Sequence, residues 1–402
     1  MQNNKSKYQS GRSTICVGRS EISDTPTHTE PIYASSAYTF ESAEDAMEKL
    51  TDRTKGYVYS RWGNPNAEMA QDKIAALEGY GLGRKTYSQL FSSGMAAITA
   101  TILATCKAGG HILAQRQLYG ATDELMHNML PALGITATLI SMHDMAELEE
   151  HLSTNSNIKL IYLETPSNPL IELVDIKAIT TIAKKYKIKV AVDNTFATPY
   201  VQQPLAQGAD LVMHSTTKFL NGHGTGLAGA VVGTSKNLIT QDVWSQLKLM
   251  GGVPGAFDAW LLLQGLKTLG VRMDRHIANA KKVATYLEQH DRVERVYYAG
   301  LKSHPQFKLA KRQMRSGGAM LSFELKGGVK AGKRLMNRVK VCQLVTSLGT
   351  VDTLIQHPAS MTHVNVPLQR RIESGITDGL VRMSVGIEDA EDIIRDLEQG
   401  LA

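Results

Sequence analysis

Lys218 closes the segment His214-Ser215-Thr216-Thr217-Lys218, so an amine flanked by hydroxyls follows the short apolar run Leu211-Val212-Met213. Alone, such a lysine reads as a solvated loop residue. Asp193 directly follows the β-branched run Ile188–Val192 and precedes Asn194-Thr195-Phe196. A carboxylate there sits at the carboxyl edge of a buried sheet, where open α/β proteins bind ligands, and a buried acid needs a partner. Ser92-Ser93-Gly94-Met95-Ala96-Ala97 is a small-residue loop opening an apolar helix. The first N–H groups and positive end of such a helix suit a phosphate, although a plain capped start has the same sequence signature.

Taken together, the three segments offer an amine for a Schiff base, an anion to keep a ring nitrogen protonated, and N–H donors for a phosphate. Those are the demands of pyridoxal 5'-phosphate. A competing signal, Gly224-Thr225-Gly226-Leu227-Ala228-Gly229, satisfies the dinucleotide fingerprint literally. Its context is wrong: a nucleotide loop leaves a strand and opens a helix, whereas these glycines lead into the strand-like Ala230-Val231-Val232. They are expected to form a structural turn.

The elements that must position these groups follow from hydrophobic period. Ile158–Leu163 reads as a strand, Ile176, Ile179, Ile182, Ala183 and Tyr186 recur at helical spacing, and Ile188–Val192 reads as the next strand, which is one βαβ unit. With Leu211–Met213 and the apolar run Leu227–Val232, this predicts a mostly parallel sheet covered on both faces. After Gly251-Gly252-Val253-Pro254-Gly255 the pattern shifts to long helices, best at Trp260–Leu269 and Ile277–Leu287, then a strand at Ala319–Leu325 and a closing helix over Glu388–Leu401, opened by Glu388 and Asp389. Residues before about Gly56 lack periodicity and read as an extended arm that a monomer could bury only with difficulty. The expected organisation is an α/β protein with an arm over residues 1–60, a large domain over 61–255 and a smaller C-terminal α/β domain over 256–402.

Composition narrows the class. A chain of 402 residues, 43% apolar and 20% charged, is an ordinary globular protein large enough for more than one subdomain. The net charge of +6 favours anionic ligands and gives no dense basic stripe for nucleic acid. Cys16, Cys106 and Cys342 are too far apart in sequence for a zinc knuckle or redox motif, so a reducing, cytoplasmic setting is expected and no metal. The pair His357 and His363 is read as structural. The uncharged stretch Thr86–Cys106 carries too many Thr, Ser, Gln and Tyr side chains for a membrane span and is expected to be a buried helix after a loop. The basic N-terminal residues lack the apolar region of a leader peptide.

The motifs also carry a resemblance that covers nearly the whole chain, from about Tyr33 to Leu401. YSRWGNPN at 59–66, ALEG at 76–79, SSGMAAI at 92–98, LYG at 118–120, ETPSNPL at 164–170, VDNTFATPY at 192–200, HSTTKFLNGH at 214–223, HPASMTH at 357–363 and DGLVRMSVGIED at 378–389 are similar to blocks of one family. The chain resembles the cysteine and methionine metabolism family of pyridoxal-phosphate enzymes, which implies fold type I and a homo-oligomer built as a dimer of active dimers. The resemblance implies that Lys218 holds the cofactor and moves protons between substrate carbons. It implies that Asp193 pairs with the ring nitrogen and that Tyr119 stacks on the ring and acts at the leaving group. Gly94, Met95, Ser215 and Thr217 would cradle the phosphate, Tyr59 and Arg61 would reach the phosphate of a neighbouring subunit, and Arg382, with Asn168 and Ser347, would hold the α-carboxylate of a small amino-acid substrate. Within the family, LIQHPASMTH at 354–363 and MDRHIANA at 273–280 are similar to methionine γ-lyases, which implies γ-elimination of sulfur amino acids. Three positions keep γ-replacement on O-acylhomoserine, and cystathionine chemistry, open as alternatives: Ala121 where those lyases commonly carry cysteine, Leu249 where they carry an acid, and Thr225 after GHG.

Overall fold

The structure is a computed structural model that describes residues 11–18, 27–362, 364, 368–373 and 375–402. Seven strands form the large sheet: β1 (Tyr87–Phe91), β2 (His111–Gln115), β3 (Thr136–Ile140), β4 (Ile158–Glu164), β5 (Lys189–Asp193), β6 (Leu211–Ser215) and β7 (Gly229–Gly233). Their order is β1-β7-β6-β5-β4-β2-β3, and only β7 runs antiparallel to its neighbours. The expectation of a mostly parallel sheet is met. Its cause is visible in β5, where Val190 and Val192 pack into the core on one face and Ala191 into the core on the other. A strand apolar on both sides belongs in the middle of a covered sheet.

Helices Pro65–Glu78 and Ala256–Lys267 contribute to the core on one face, with Leu90, Val212 and Val232, and the Gly94–Thr105 helix lies on the other, against Phe91, Tyr162 and Met213. A second sheet, β8 (Val293–Tyr297), β9 (Met320–Leu325), β10 (Gln343–Leu344), β11 (Leu354–Gln356) and β12 (Leu380–Ser384), has the order β10-β11-β12-β9-β8. The Leu269–Glu288 helix spans both cores. Leu269 and Met273 pack with the large sheet, whereas Ala280, Val283 and Leu287 pack with β8, β9 and the Ala390–Leu401 helix.

Several local expectations need correction. The stretch Thr86–Cys106 holds strand β1 as well as a helix, because Tyr87–Phe91 pairs with β7 in full register. The arm expected to be extended contains helices at Arg12–Val17 and Ala43–Thr51. The latter is set by the Ser42 side chain accepting from Asp45 N–H at 3.1 Å and by a Lys49–Asp45 pair at 2.8 Å. The former docks through the buried Cys16, and Lys73 Nζ donates to its last carbonyls at Cys16 and Gly18. The strand expected from Leu227 starts at Gly229, and the predicted Trp260–Leu269 helix occupies Ala256–Lys267. The predicted Ile277–Leu287 helix lies within Leu269–Glu288. The closing helix starts at Ala390, not Glu388, because the Glu388 carboxylate is taken by Thr353, accepting from its N–H at 2.6 Å and its hydroxyl at 2.8 Å. No described helix is long and apolar enough to cross a membrane.

Candidate active site

Strands β4, β5 and β6 are parallel, so their carboxyl ends share one edge, with Glu164 opposite Asp193 and Asp193 opposite Met213 in register. Ser215 ends β6, and Lys218 follows in a tight turn closed by Lys218 N–H donating to Ser215 O at 3.2 Å. The sequence alternation that buries Ala191 and Met213 therefore also sends Asp193 and Ser215 to the same face, beside the start of the Gly94–Thr105 helix.

That helix begins as the sequence predicts. Ser93 is extended, its hydroxyl accepts from Ala96 N–H at 3.1 Å, and the N–H groups of Gly94 and Met95 belong to the first turn, where a helix has no acceptors of its own. Close approach demands glycine here: a Cβ on Gly94 would lie 2.8 Å from Ser215 Cβ, and one on Gly229 only 2.1 Å from Ser93 O. The last glycine of the 224–229 run thus serves packing, and the run forms a loop into β7 as expected.

These elements enclose a cavity of about 220 Å³ lined by Gly94, Met95, Tyr119, Asn168, Asp193, Ser215, Thr217, Lys218 and Arg382. Nine of the residues singled out by sequence thus meet in one place. Ser347 joins them through hydrogen bonds: its hydroxyl accepts from Lys218 Nζ at 2.9 Å and its carbonyl from Arg382 Nη2 at 2.8 Å. Arg382 Nη1 also donates to Asn168 Oδ1 at 2.9 Å, which joins β12 of the second sheet to the loop after β4. Tyr59 and Arg61 do not reach this cavity. Tyr59 is exposed, and Arg61 Nη1 donates to Lys248 O at 2.6 Å.

Electrostatics in the cavity are set by burial. The Lys218 amine is pushed down from the ordinary lysine value, first by burial and then by the Arg382 charge, which favours the neutral amine a nucleophile needs. Burial raises the Asp193 carboxyl, while the N–H and hydroxyl of Thr195 and the charge of His214 oppose that rise. Arg382 is lowered to about 10 by burial. Its Nε has no hydrogen-bond partner among the described residues, so a donor remains for a substrate carboxylate.

The fit to pyridoxal phosphate rests on this donor set. Lys218 offers an amine, Asp193 an acid at the floor, and the glycine-lined helix start offers N–H donors beside the Ser215 hydroxyl. The Thr217 hydroxyl is also bonded to the Ala228 backbone, donating to its carbonyl and accepting from its N–H, both at 3.1 Å.

Glu164 was not among the sequence-derived candidates, yet it lines the same cavity. Its signal was available: like Asp193, it is an acid directly after a buried apolar strand. Thr195 and Phe196, which follow Asp193, and Thr346 and Leu348, which flank Ser347, also line the cavity without having been assigned roles of their own. His357, read as structural, has both ring nitrogens engaged, with Ser360 Oγ and Asp378 O at 2.8 Å each. His363 lies outside the described residues. The three cysteines are buried and unpaired.

Comparison with known proteins agrees with the geometry. The family model described as Cys/Met metabolism PLP-dependent enzyme matches residues 13–402. An L-methionine gamma-lyase of Fusobacterium nucleatum subsp. polymorphum is 48% identical over 373 residues, covering 92% of each chain. An O-succinylhomoserine sulfhydrylase of Pseudomonas aeruginosa is 40% identical over 375 residues, covering 93% of this chain and 91% of its own. Among solved structures, a cystathionine gamma synthase from Xanthomonas oryzae pv. oryzae superposes with a TM-score of 0.89 at 36% identity, over 98% of both chains.

Proposed function

The chain belongs to the Cys/Met metabolism family of PLP-dependent enzymes, and from that premise we propose that it catalyses γ-elimination from methionine-like amino acids, releasing 2-oxobutanoate, ammonia and a thiol. The observation that carries the choice of substrate is the charge inventory of the cavity. Its lining holds two cations, Lys218 and Arg382, and two acids, Asp193 and Glu164. Once Lys218 holds the cofactor and Arg382 the α-carboxylate, no further cation remains among the described lining residues of this chain for a second carboxylate such as that of a succinyl ester or cystathionine. The rest of the wall, including Tyr119, Leu227, Thr346 and Leu348, is uncharged and suits a methyl thioether.

Pyridoxal phosphate, when bound, supplies the electron sink that makes the Cα and Cβ protons of an amino acid removable. The protein's part is binding and proton handling. Arg382 presents a fork to the α-carboxylate, with Asn168 and the Ser347 carbonyl fixing its plane. Lys218, whose amine is pushed down from the ordinary lysine value by burial and by Arg382, takes the proton at Cα and moves protons between the substrate carbons, including the Cβ proton whose loss precedes expulsion of the γ-substituent. Asp193 keeps the ring nitrogen charged. Tyr119, on the cavity wall, would stack on the cofactor ring and deliver a proton to the departing sulfur. Gly94, Met95, Ser215 and Thr217 bind the phosphate.

A second copy of the chain completes the site in this reading: Tyr59 and Arg61, which do not reach their own cavity, contribute to a neighbour's phosphate in a dimer, two of which form a tetramer. The unpaired cysteines favour a cytoplasmic enzyme. γ-Replacement on O-acylhomoserine is the second reading, supported by the sulfhydrylase relative and by the same residue set.

The test is 2-oxobutanoate release from methionine, cystathionine and O-acetylhomoserine, each with and without sulfide. Release from methionine without added thiol is expected. Negligible release from methionine, together with sulfide-dependent consumption of O-acetylhomoserine, would replace elimination by the second reading.

A further inference from the structure

Glu164 has no task in the reaction described above, yet it occupies a costly position. It ends β4 opposite Asp193 in register and is 5% exposed, so its buried carboxylate shares one sheet edge with the half-buried carboxylate of Asp193. Burial and the Asp193 charge push the Glu164 carboxyl up, and the two N–H bonds it accepts, from Tyr119 and Asn168, oppose that rise by favouring the ionised form. Its two oxygens are divided between two loops. Oε2 accepts from Tyr119 N–H at 2.7 Å, and Oε1 accepts from Asn168 N–H at 3.1 Å. Its own N–H is held by Gln115 Oε1 at 3.2 Å, which fixes the end of β4 against β2.

Each loop ends in a side chain of the site. Tyr119 immediately precedes the Gly120–Glu124 helix and lines the cavity, and Asn168 accepts from Arg382 Nη1 at 2.9 Å. A carboxylate is the side chain that offers two acceptor oxygens and no donor; an amide of the same shape turns a donor toward one of the two N–H groups. We propose that Glu164 is a positioning residue whose carboxylate ties the backbone at Tyr119 to the backbone at Asn168, setting the distance between the aromatic wall and the Arg382 clamp across which the amino acid is held.

The proposal rests on the roles given above to Tyr119, Asn168 and Arg382, but the tie can be read without turnover. In holoenzyme, amide hydrogen exchange of Glu164→Gln is expected to accelerate about tenfold or more in the segment around Tyr119, the segment around Asn168, or both, the loss expected when a charge-assisted bond becomes a mismatch. The dissociation constant of glycine, an unreactive amino-acid anion read by the visible absorbance of the bound cofactor, should rise by about tenfold. If Glu164→Gln does not fold, Glu164→Asp, which is one methylene shorter and reaches only one loop, carries the same two readings. Unchanged exchange in both segments overturns the tie. Faster exchange with unchanged glycine affinity reduces Glu164 to a structural brace and overturns its positioning role. Neither reading depends on which γ-substituent is expelled, so absence of methionine turnover in the wild type would remove the proposed reaction and leave the tie standing.

Discussion

Two buried arginines mark two regions of the molecule. Arg272, on the Leu269–Glu288 helix, and Arg382, on β12, are each 4% exposed, and burial lowers each to about 10. All three nitrogens of Arg272 donate: Nη1 to Phe219 O at 2.8 Å, Nη2 to Gly265 O at 2.8 Å and Leu220 O at 3.3 Å, and Nε to Thr268 Oγ1 at 3.1 Å. Arg382 spends two nitrogens on Asn168 and Ser347, leaves Nε without a partner among the described residues, and faces the cavity. Equal burial thus has two meanings. Around Arg272 the guanidinium is a clamp on the carbonyls that follow Lys218. Around Arg382 the fold leaves a charge incompletely satisfied, and in the proposed reading an incoming carboxylate supplies what is missing.

If that contrast holds, removing groups on the cavity side should cost chemistry and little stability, whereas removing groups at the helix junction should cost stability. The largest effect is expected for Lys218→Ala. Turnover should fall by roughly 10⁴-fold or more, with the thermal midpoint unchanged or raised because a buried amine is gone; borohydride should no longer fix cofactor to the chain. Label found on Lys248 or Lys267 of the wild type would move the site elsewhere. Arg382→Lys keeps the charge and loses the fork, so kcat/KM for methionine should drop about 10²–10³-fold, consistent with the loss of charge-assisted bonds worth about 1.5–3 kcal/mol each. Its melting curve should stay near that of the wild type, and a strongly destabilised Arg382→Lys would erase the distinction between the two regions.

Arg272→Met should do the reverse. It strands the carbonyls of Phe219, Leu220 and Gly265, and urea unfolding should show a loss of about 3 kcal/mol or more, while KM for methionine in the folded fraction is unchanged. The smallest effect sharpens the picture through pH. His276 is fully buried beside Arg272, its Nδ1 lies 2.7 Å from Val385 O, and burial pushes it down to about 4. Its folded value lies below the ordinary one near 6.5. Its contribution is therefore present above about pH 6.5 and lost as pH falls toward 4, and the loss reaches about 2 kcal/mol by pH 5. Acid unfolding of His276→Gln should show a shallower loss between pH 6.5 and 5 than that of the wild type; identical slopes would mean that another group titrates there.

Much of the site is written locally. Lys218 and Asp193 stand at strand ends that period-2 burial makes recognisable, and the helix start at Gly94 carries its own cap at Ser93. Arg382 is different: among many arginines, only its place in LVRMSVG distinguishes it, and its partners Asn168 and Ser347 are 214 and 35 residues away. Glu164 has a local signal as good as that of Asp193, but its use of Tyr119, 45 residues away, has none. Glu388 illustrates the opposite failure. An acid before an apolar periodic run reads as a helix opener, yet a contact with Thr353 takes its carboxylate.

The sequence by itself determined the βαβ unit from Ile158 to Val192, the strands that end near Ser215 and begin near Gly229, the long helices after Gly255 and the chemical kinds of group at their ends, because side-chain period and capping act within a few residues and survive any arrangement of the rest. Tertiary structure alone decided which of those groups share a cavity. Parallel register set Glu164 beside Asp193, the crossing of a second sheet brought Arg382 to Asn168, and tight packing against Ser215 and Ser93 made glycine necessary at 94 and 229. Those are contacts between distant segments, and their free energy comes from burying both segments at once, which no local window of residues contains.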